Sequence, residues 1–135
     1  MGEIVLKDIY KKIKKIAVIG SSPKENRPVY KVSVELIKRN YEIYPINPNY
    51  EVILERKVYK DIRDIEDDVD MAVFFINSSL VLKEIEKALE KNVKYIWLQE
   101  GIVSEEGRKM VEMNNAFFME DKCIYKELLK IENSL

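Results

Sequence analysis

Hydrophobic residues in this chain form short unbroken runs that alternate with stretches of helical spacing. The first run, Ile16–Ile19, has no polar position, which is typical of a parallel strand covered on both faces. After a polar turn, apolar residues recur at helical spacing over Val29–Ile37 and predict an amphipathic helix. The run Ile43–Ile46 predicts the next strand. These elements predict a strand–helix–strand crossover, whose ligand crevice lies at the carboxyl ends of the strands.

The same alternation continues to the end of the chain. Residues 4–14, which include Ile4, predict a short amphipathic helix that covers the sheet. Ser78 or Ser79 is expected to cap a later helix, and Ser104 another. For Asn77 and Ser78, a hydrogen bond to a ligand and a cap of that later helix are left equally open. Further strands are expected at Lys57–Tyr59, Met71–Ile76, Lys94–Leu98 and Ala116–Met119. The pattern therefore predicts an α/β fold, a three-layer, doubly wound and mostly parallel sheet of Rossmann-like type.

Composition limits the size of the protein and its classes of partner. With 135 residues, 47% of them hydrophobic, and only 4 Gly and 4 Pro, a single domain over residues 1–135 is expected, without a linker. The balance of 23 basic and 24 acidic residues lacks the positive excess that nucleic-acid or membrane surfaces require. No apolar run reaches the length of a membrane span, and a single cysteine fits a reducing compartment, so a cytoplasmic location is expected.

The polar turn after the first strand contains the parts of a phosphate site. Gly20 permits close backbone approach, Ser21 and Ser22 supply hydroxyls, and Lys24 and Arg27 supply positive charge at a helix start. The turn has one glycine where the dinucleotide fingerprint has three, and it lacks the Walker lysine sequence. By itself it leaves a phosphate site and an ordinary polar loop equally open.

The end of the second strand limits the kind of nucleotide. The chain reads Tyr44–Pro48 there, without the Asp or Glu that accepts hydrogen bonds from a ribose hydroxyl in NAD-binding domains. NAD is therefore disfavoured. Lys24 and Arg27 leave NADP as a second candidate, because they could meet its 2′-phosphate.

Five short motifs are spread in order over most of the chain. They are Gly20 with Ser21 and Ser22, Arg27-Pro28, Asn47-Pro48, Trp97-Leu98-Gln99-Glu100-Gly101, and Asp121-Lys122-Cys123. In this order they resemble the small stand-alone CoA-binding proteins, relatives of the nucleotide-binding domain of succinyl-CoA ligase. The chain departs from that family at two places: Ile76 and Asn77 stand where an arginine is frequent, and Lys122 replaces a second arginine.

The resemblance implies a protein that binds CoA or an acyl-CoA and acts as a carrier, a sensor or a partner subunit. The diphosphate would rest on main-chain amides around Ser22 and on the following helix start, with Asn47 and Pro48 shaping the adenosine side. The remaining candidate binding residues, at the ends of later strands, are Ile76, Asn77, Gln99, Glu100, Gly101 and Cys123. A homo-oligomer or a complex with a partner enzyme is left open. The alternatives are an oxidoreductase linked to NAD(P), an enzyme subunit completed by another chain, and a ligand-free protein-interaction module.

Candidate catalytic groups are few, and none is assigned. The chain has no histidine, which excludes a histidine base and the phosphohistidine step of the larger ligases, and no metal site is expected. Glu100 and Asp121 are expected to be solvated or to cap local structure. Trp97 is expected in the core rather than beneath an adenine. Cys123 is expected to be buried at a strand–helix junction, with a mixed disulfide to the CoA thiol as the alternative.

Overall fold

The computed structural model describes residues 2–134, with side chains from residue 5 onward, so the predicted contact of Ile4 lies outside the described side chains. The helices are α1 (Gly2–Lys12), α2 (Pro28–Lys38), α3 (Ser78–Glu90), α4 (Glu105–Met113) and α5 (Ile124–Asn133), with a 3-10 turn at Ile62–Asp64. The strands are β1 (Lys15–Ile19), β2 (Glu42–Ile46), β3 (Val52–Ile53), β4 (Arg56–Lys57), β5 (Met71–Phe74), β6 (Tyr95–Leu98) and β7 (Phe117–Met119). Within this range, no helix is both long and apolar enough to cross a membrane.

One parallel sheet of five strands, in the order β2-β1-β5-β6-β7, forms the centre of the protein. The chain passes from β1 to β2 on one side, then returns to β5 on the other side of β1. The carboxyl ends of β1 and β5 therefore form a topological switch point, where α/β sheets of this type open a ligand crevice. The predicted doubly wound, Rossmann-like α/β fold is confirmed.

Two apolar layers cover the sheet, because alternate residues of each strand face opposite sides. One layer packs α1, α2 and α5 on the side chains of Ile16, Val18, Met71, Val73 and Trp97. The other packs α3, α4 and the 3-10 turn on Ala17, Ile19, Ala72, Phe74, Ile96 and Leu98. Trp97 is fully buried and its indole Nε1 donates to the carbonyl of Lys122 at 2.8 Å, which confirms its expected place in the core.

At the start of α3, the structure decides between the capping residues that the sequence leaves open. Asn77, and neither Ser78 nor Ser79, is the N-cap, since its Oδ1 accepts a hydrogen bond from the Ser79 amide at 2.9 Å. Because all three successive residues have side chains that can cap a helix, the backbone conformation decides which of them is the N-cap. That conformation is fixed by the end of β5, so the cap falls on Asn77.

The predicted strand at Lys57–Tyr59 is also wrong. Arg56–Lys57 instead pairs antiparallel with Val52–Ile53, and Tyr59 forms only an isolated bridge to Ile46. The tight turn between these strands places Leu54 and Glu55 at positive φ, 52° and 64°. Because neither residue favours that conformation, the sequence carries no recognisable turn signal there.

Gly20 connects β1 to the turn that follows it. Its φ is +88°, a conformation that residues with a Cβ rarely adopt. A Cβ at this position would lie 2.5 Å from the Phe75 carbonyl oxygen and 2.8 Å from Ile76 Cγ2. The turn after β1 therefore approaches the end of β5 as closely as a backbone without a side chain allows.

We expect Gly20→Ala to lower the free energy of unfolding by about 2 kcal/mol or more, from the positive φ and the clash with Phe75 together. Gly101→Ala is the matched control, because Gly101 also has a positive φ of +80° but nothing lies within 4 Å of its added Cβ. Urea unfolding of both variants measures the difference. An equal loss in the two would contradict a steric restriction at Gly20.

Candidate functional site

A cavity of about 910 Å³ opens at the carboxyl edge of the sheet, at the switch point. It is bounded by the turn after β1, the start of α2, the loop after β2, the ends of β5 and β6, and the start of α5. The predicted site residues that line it are Gly20, Ser21, Ser22, Lys24, Arg27, Asn47, Ile76, Gln99, Glu100 and Cys123. Pro48, Asn77 and Gly101 do not line it. The fold thus brings together most of the predicted residues from separate parts of the chain.

The main-chain amides of the turn after β1 are only partly free for a ligand. The amides of Gly20 and Ser21 both donate to the Ile46 carbonyl, at 3.1 and 3.2 Å, and so attach the turn to β2. The Ser22 amide donates to no residue within 2–134, and the Ser22 Oγ accepts from the Lys24 amide at 3.1 Å. The sequence predicted that several main-chain amides around Ser22 would bind a ligand. Of this turn, only the Ser22 amide and the start of α2 remain available within residues 2–134.

Asn47 holds two loops of the site together. Its Nδ2 donates to the Ser21 carbonyl at 2.8 Å, and its Oδ1 accepts from the Asn49 amide at 2.8 Å. Both polar atoms of the carboxamide are thus used within the protein, although the residue lines the cavity. Asn47 positions the turn after β1 against the loop after β2.

The start of α2 gives one end of the cavity a positive character. Arg27 is the N-cap and makes no side-chain capping hydrogen bond. Lys24, Arg27 and Lys31 are exposed and line the cavity. Among side chains of residues 5–134, none of these three cations has a carboxylate within ion-pairing distance. The helix start itself adds few donors, because Pro28 has no N–H and the Tyr30 amide donates to the Arg27 carbonyl at 3.0 Å, so it is mainly the cations that suit an anionic group such as a phosphate.

The opposite end of the cavity contains two nearly buried side chains, Gln99 and Cys123. Gln99 follows β6, is 5% exposed, and its Oε1 accepts from the Ile124 amide at 2.9 Å. Cys123, the N-cap of α5, is 7% exposed and makes no side-chain capping hydrogen bond. Behind them, Tyr10 donates its hydroxyl to the Ile124 carbonyl at 2.6 Å, and burial raises the pKa of Tyr10 above its ordinary value. Cys123 therefore lies at a strand–helix junction, as expected.

The two acids near this end have structural partners. Glu100 pairs with Lys126 at 3.0 Å at the exposed mouth, and this hydrogen bond raises the pKa of Lys126. Asp121 Oδ1 accepts from the Gly101 amide at 2.8 Å. Both side chains thus have the solvated or capping roles expected from the sequence, and neither has the arrangement of a general acid or base.

Several lining residues were not among those predicted. They are Pro28, Val29, Lys31, Val32, Asn49, Tyr50, Phe75, Ile102, Tyr125, Lys126 and Leu129. Val29 and Val32 belong to the apolar stripe of α2. Helical periodicity predicts that such residues are buried, but it does not distinguish those in the core from those that line the cavity. Tyr125 and Leu129 reach the cavity because α5 packs beside α2, a contact between distant parts of the chain.

Comparison with known proteins identifies a family pattern, sequence relatives and solved structures that match this chain. The sequence pattern of the family described as CoA binding domain matches residues 14–128. YneT of Bacillus subtilis (strain 168), itself uncharacterized, is 30% identical over 119 residues, which span 88% of each chain. The structure of a hypothetical protein from Pyrococcus horikoshii OT3 superposes with a TM-score of 0.95 at 29% identity, covering 98% of this chain and 93% of the other.

Much longer enzymes contain a related segment. The ADP-forming acetate–CoA ligase of Methanocaldococcus jannaschii is 41% identical over 81 residues. That match covers 60% of this chain but only 12% of the ligase, so this chain corresponds to a small part of such enzymes. The family match, the relatives and the geometry of the switch point agree with the five sequence motifs, and the chain belongs to the CoA binding domain family.

Proposed function

We propose that this chain binds CoA or an acyl-CoA in the cavity at the switch point. The observation that carries the proposal is the difference between the two ends of this cavity. One end offers the free Ser22 amide and cations that pair with no carboxylate of residues 5–134, and the other contains the nearly buried Gln99 and the Cys123 thiol. CoA has the matching polarity, since a phosphorylated nucleotide is joined to a long, uncharged pantetheine arm that ends in a thiol.

The diphosphate of the ligand is proposed to lie between the turn after β1 and the start of α2. The Ser22 amide is available as a donor there, and Ser21 and Ser22 present hydroxyls. Lys24 and Arg27 would supply the counter-charge. The carboxylates nearest in sequence to these cations make no ion pair with them, so the cations can turn toward a ligand.

The adenosine is proposed to lie on the side of β2. Asn47 fixes the loop there, and Pro48, outside the cavity lining, would stiffen it rather than contact the ligand. Tyr50 lines the same side. The strand ends without an acid that could accept from ribose hydroxyls, which favours CoA over NAD, and membership of the CoA binding domain family favours it over NADP.

The wider role proposed for the chain is that of a carrier, a sensor or a partner subunit without catalysis of its own. The absence of histidine from the sequence supports this role, as do the structural partners of Glu100 and Asp121. Relatives that are CoA ligases carry the matching segment within much longer chains, which supports an enzyme as the partner. The whole of residues 1–135 would serve as one binding domain.

Addition of CoA or acetyl-CoA is expected to raise the melting temperature of the protein, because a ligand that binds only the native state stabilises it. At a hundred times the dissociation constant the gain is about 2.7 kcal/mol. Differential scanning fluorimetry with CoA, acetyl-CoA, NAD and NADP measures it. We expect no comparable shift with NAD or NADP. The absence of a shift with CoA, or an equal shift with NADP, would refute the proposal.

Arg27→Ala and Lys24→Ala are each expected to weaken CoA binding by about tenfold, the size of one charge-assisted hydrogen bond. Lys109→Ala is the control, because Lys109 is an exposed lysine of α4 and does not line the cavity. Isothermal titration calorimetry at low and high salt measures the affinities, and the two cavity variants should also show a weaker dependence on salt. Unchanged affinity for CoA in both cavity variants would contradict the proposal that the diphosphate binds at this end of the cavity.

A further inference from the structure

We infer that Cys123 undergoes thiol–disulfide exchange with CoA disulfide. The end of the cavity at Gln99 and Cys123 would then hold CoA as a covalent mixed disulfide. This inference rests on the proposed function, since the cavity must first bind CoA. It adds a chemical step that binding alone does not require. The step uses the one cysteine of the sequence, which the family fold places in the wall of the cavity.

The position of Cys123 suits a thiol that reacts with a bound ligand rather than with solvent. It lines the cavity but is only 7% exposed, so a bulky reagent reaches it mainly through that cavity. As the N-cap of α5 it lies at the electropositive end of a ten-residue helix, Ile124–Asn133. Such helix starts are typical positions for exchanging thiols.

Gln99 independently indicates where the end of the ligand lies. Its side chain is 95% buried, and its Oε1 is held by the Ile124 amide. Its Nε2 donates to no described residue within 2–134, and since Gln99 lines the cavity, this amide is the polar atom left to face it. This amide is therefore free to donate to an acceptor of a ligand in the cavity. The carbonyl nearest the thiol in a pantetheine arm is such an acceptor.

The cavity has the right span for this arrangement. The phosphate end follows β1, and Gln99 follows β6, two strands away in the sheet, a separation of about 10 Å. A pantetheine arm is long enough to cross that distance from a diphosphate bound near Ser22. Because Gln99 Oε1 accepts a hydrogen bond from the amide of the residue after Cys123, a carbonyl bound at Gln99 Nε2 would bring the terminal sulfur to Cys123.

The step is an ordinary thiol–disulfide exchange with the symmetrical disulfide of CoA as the oxidant. The Cys123 thiolate attacks the sulfur of the CoA half that is bound in the cavity. A new bond forms between Sγ and that sulfur, and the bond between the two CoA sulfurs breaks. The second CoA leaves as a thiolate through the mouth beside Glu100 and Lys126, and takes up a proton. Cys123 is oxidised and one CoA sulfur is reduced, so electrons and atoms balance.

Intact-mass spectrometry of the reduced protein mixed with CoA disulfide tests the inference. We expect a gain equal to one CoA minus two hydrogen atoms, which a reductant removes. The reaction should run about tenfold or more faster than with glutathione disulfide at equal concentration, because binding orients the sulfur. Desulfo-CoA, which lacks the thiol, should slow it by occupying the cavity.

Two variants assign the reaction to its residues. Cys123→Ser should form no adduct, and its melting temperature without ligand shows whether it folds as the wild-type protein does. Gln99→Glu keeps an oxygen for the Ile124 amide but replaces the Nε2 donor, so its preference for CoA disulfide over glutathione disulfide should fall.

The outcomes separate this inference from the proposed function. If reduced CoA raises the melting temperature of the wild-type protein but CoA disulfide gives no adduct, the exchange is refuted and CoA binding stands. Equal rates with the two disulfides, without competition by desulfo-CoA, would also overturn the inference, since the thiol would then react without a bound ligand. If CoA gives no shift in melting temperature and CoA disulfide gives no adduct, both proposals are contradicted.

Discussion

The close contact between the turn after β1 and the end of β5 is the constraint on which the rest of the site depends. Gly20 meets the Phe75 carbonyl where a Cβ would have no room, and the amides of Gly20 and Ser21 are bound to the Ile46 carbonyl. Three neighbouring strand ends are thereby held at fixed positions. The crevice at the switch point opens beyond this contact, and every group that lines it is placed relative to it.

This constraint determines which groups remain for a ligand. The first two amides of the turn stabilise the protein itself, so the groups left for the proposed ligand are the Ser22 amide and three cations that pair with no carboxylate of residues 5–134. Asn47 likewise uses both atoms of its carboxamide to join the two loops. The site therefore depends less on main-chain donors than the sequence motif suggests, and more on charge. A cationic, anion-binding site of this type is screened by salt and has little preference among phosphates unless other contacts select the ligand.

In the proposed function, selectivity comes from the far end of the cavity. Gln99 and Cys123 are nearly buried there and lie on segments that follow β6 and β7. A long ligand with a charged head and a neutral tail that ends in sulfur engages both ends at once, which a free phosphate or a short nucleotide cannot do. The corresponding segment of the ADP-forming ligases is a small part of chains that are several times longer. A domain that holds such a ligand without catalytic groups of its own is suited to work beside other chains or domains.

The sequence by itself determined the fold class, because unbroken apolar runs and helical stripes specify which segments are buried on both faces and which on one. It also determined where the polar turn after β1 and the motifs at the strand ends lie, because these features are local in the chain. It left the answer open where backbone geometry chose among equivalent residues, as at the cap of α3, and it failed where a turn used Leu54 and Glu55 at positive φ. Only the tertiary structure decided that Tyr125 and Leu129 of α5 form a wall of the cavity, that Pro48 and Asn77 lie outside it, and that the amides of Gly20 and Ser21 are already bonded. The physical reason is that these facts depend on contacts between segments far apart in the chain, and such contacts leave no periodic pattern in the sequence.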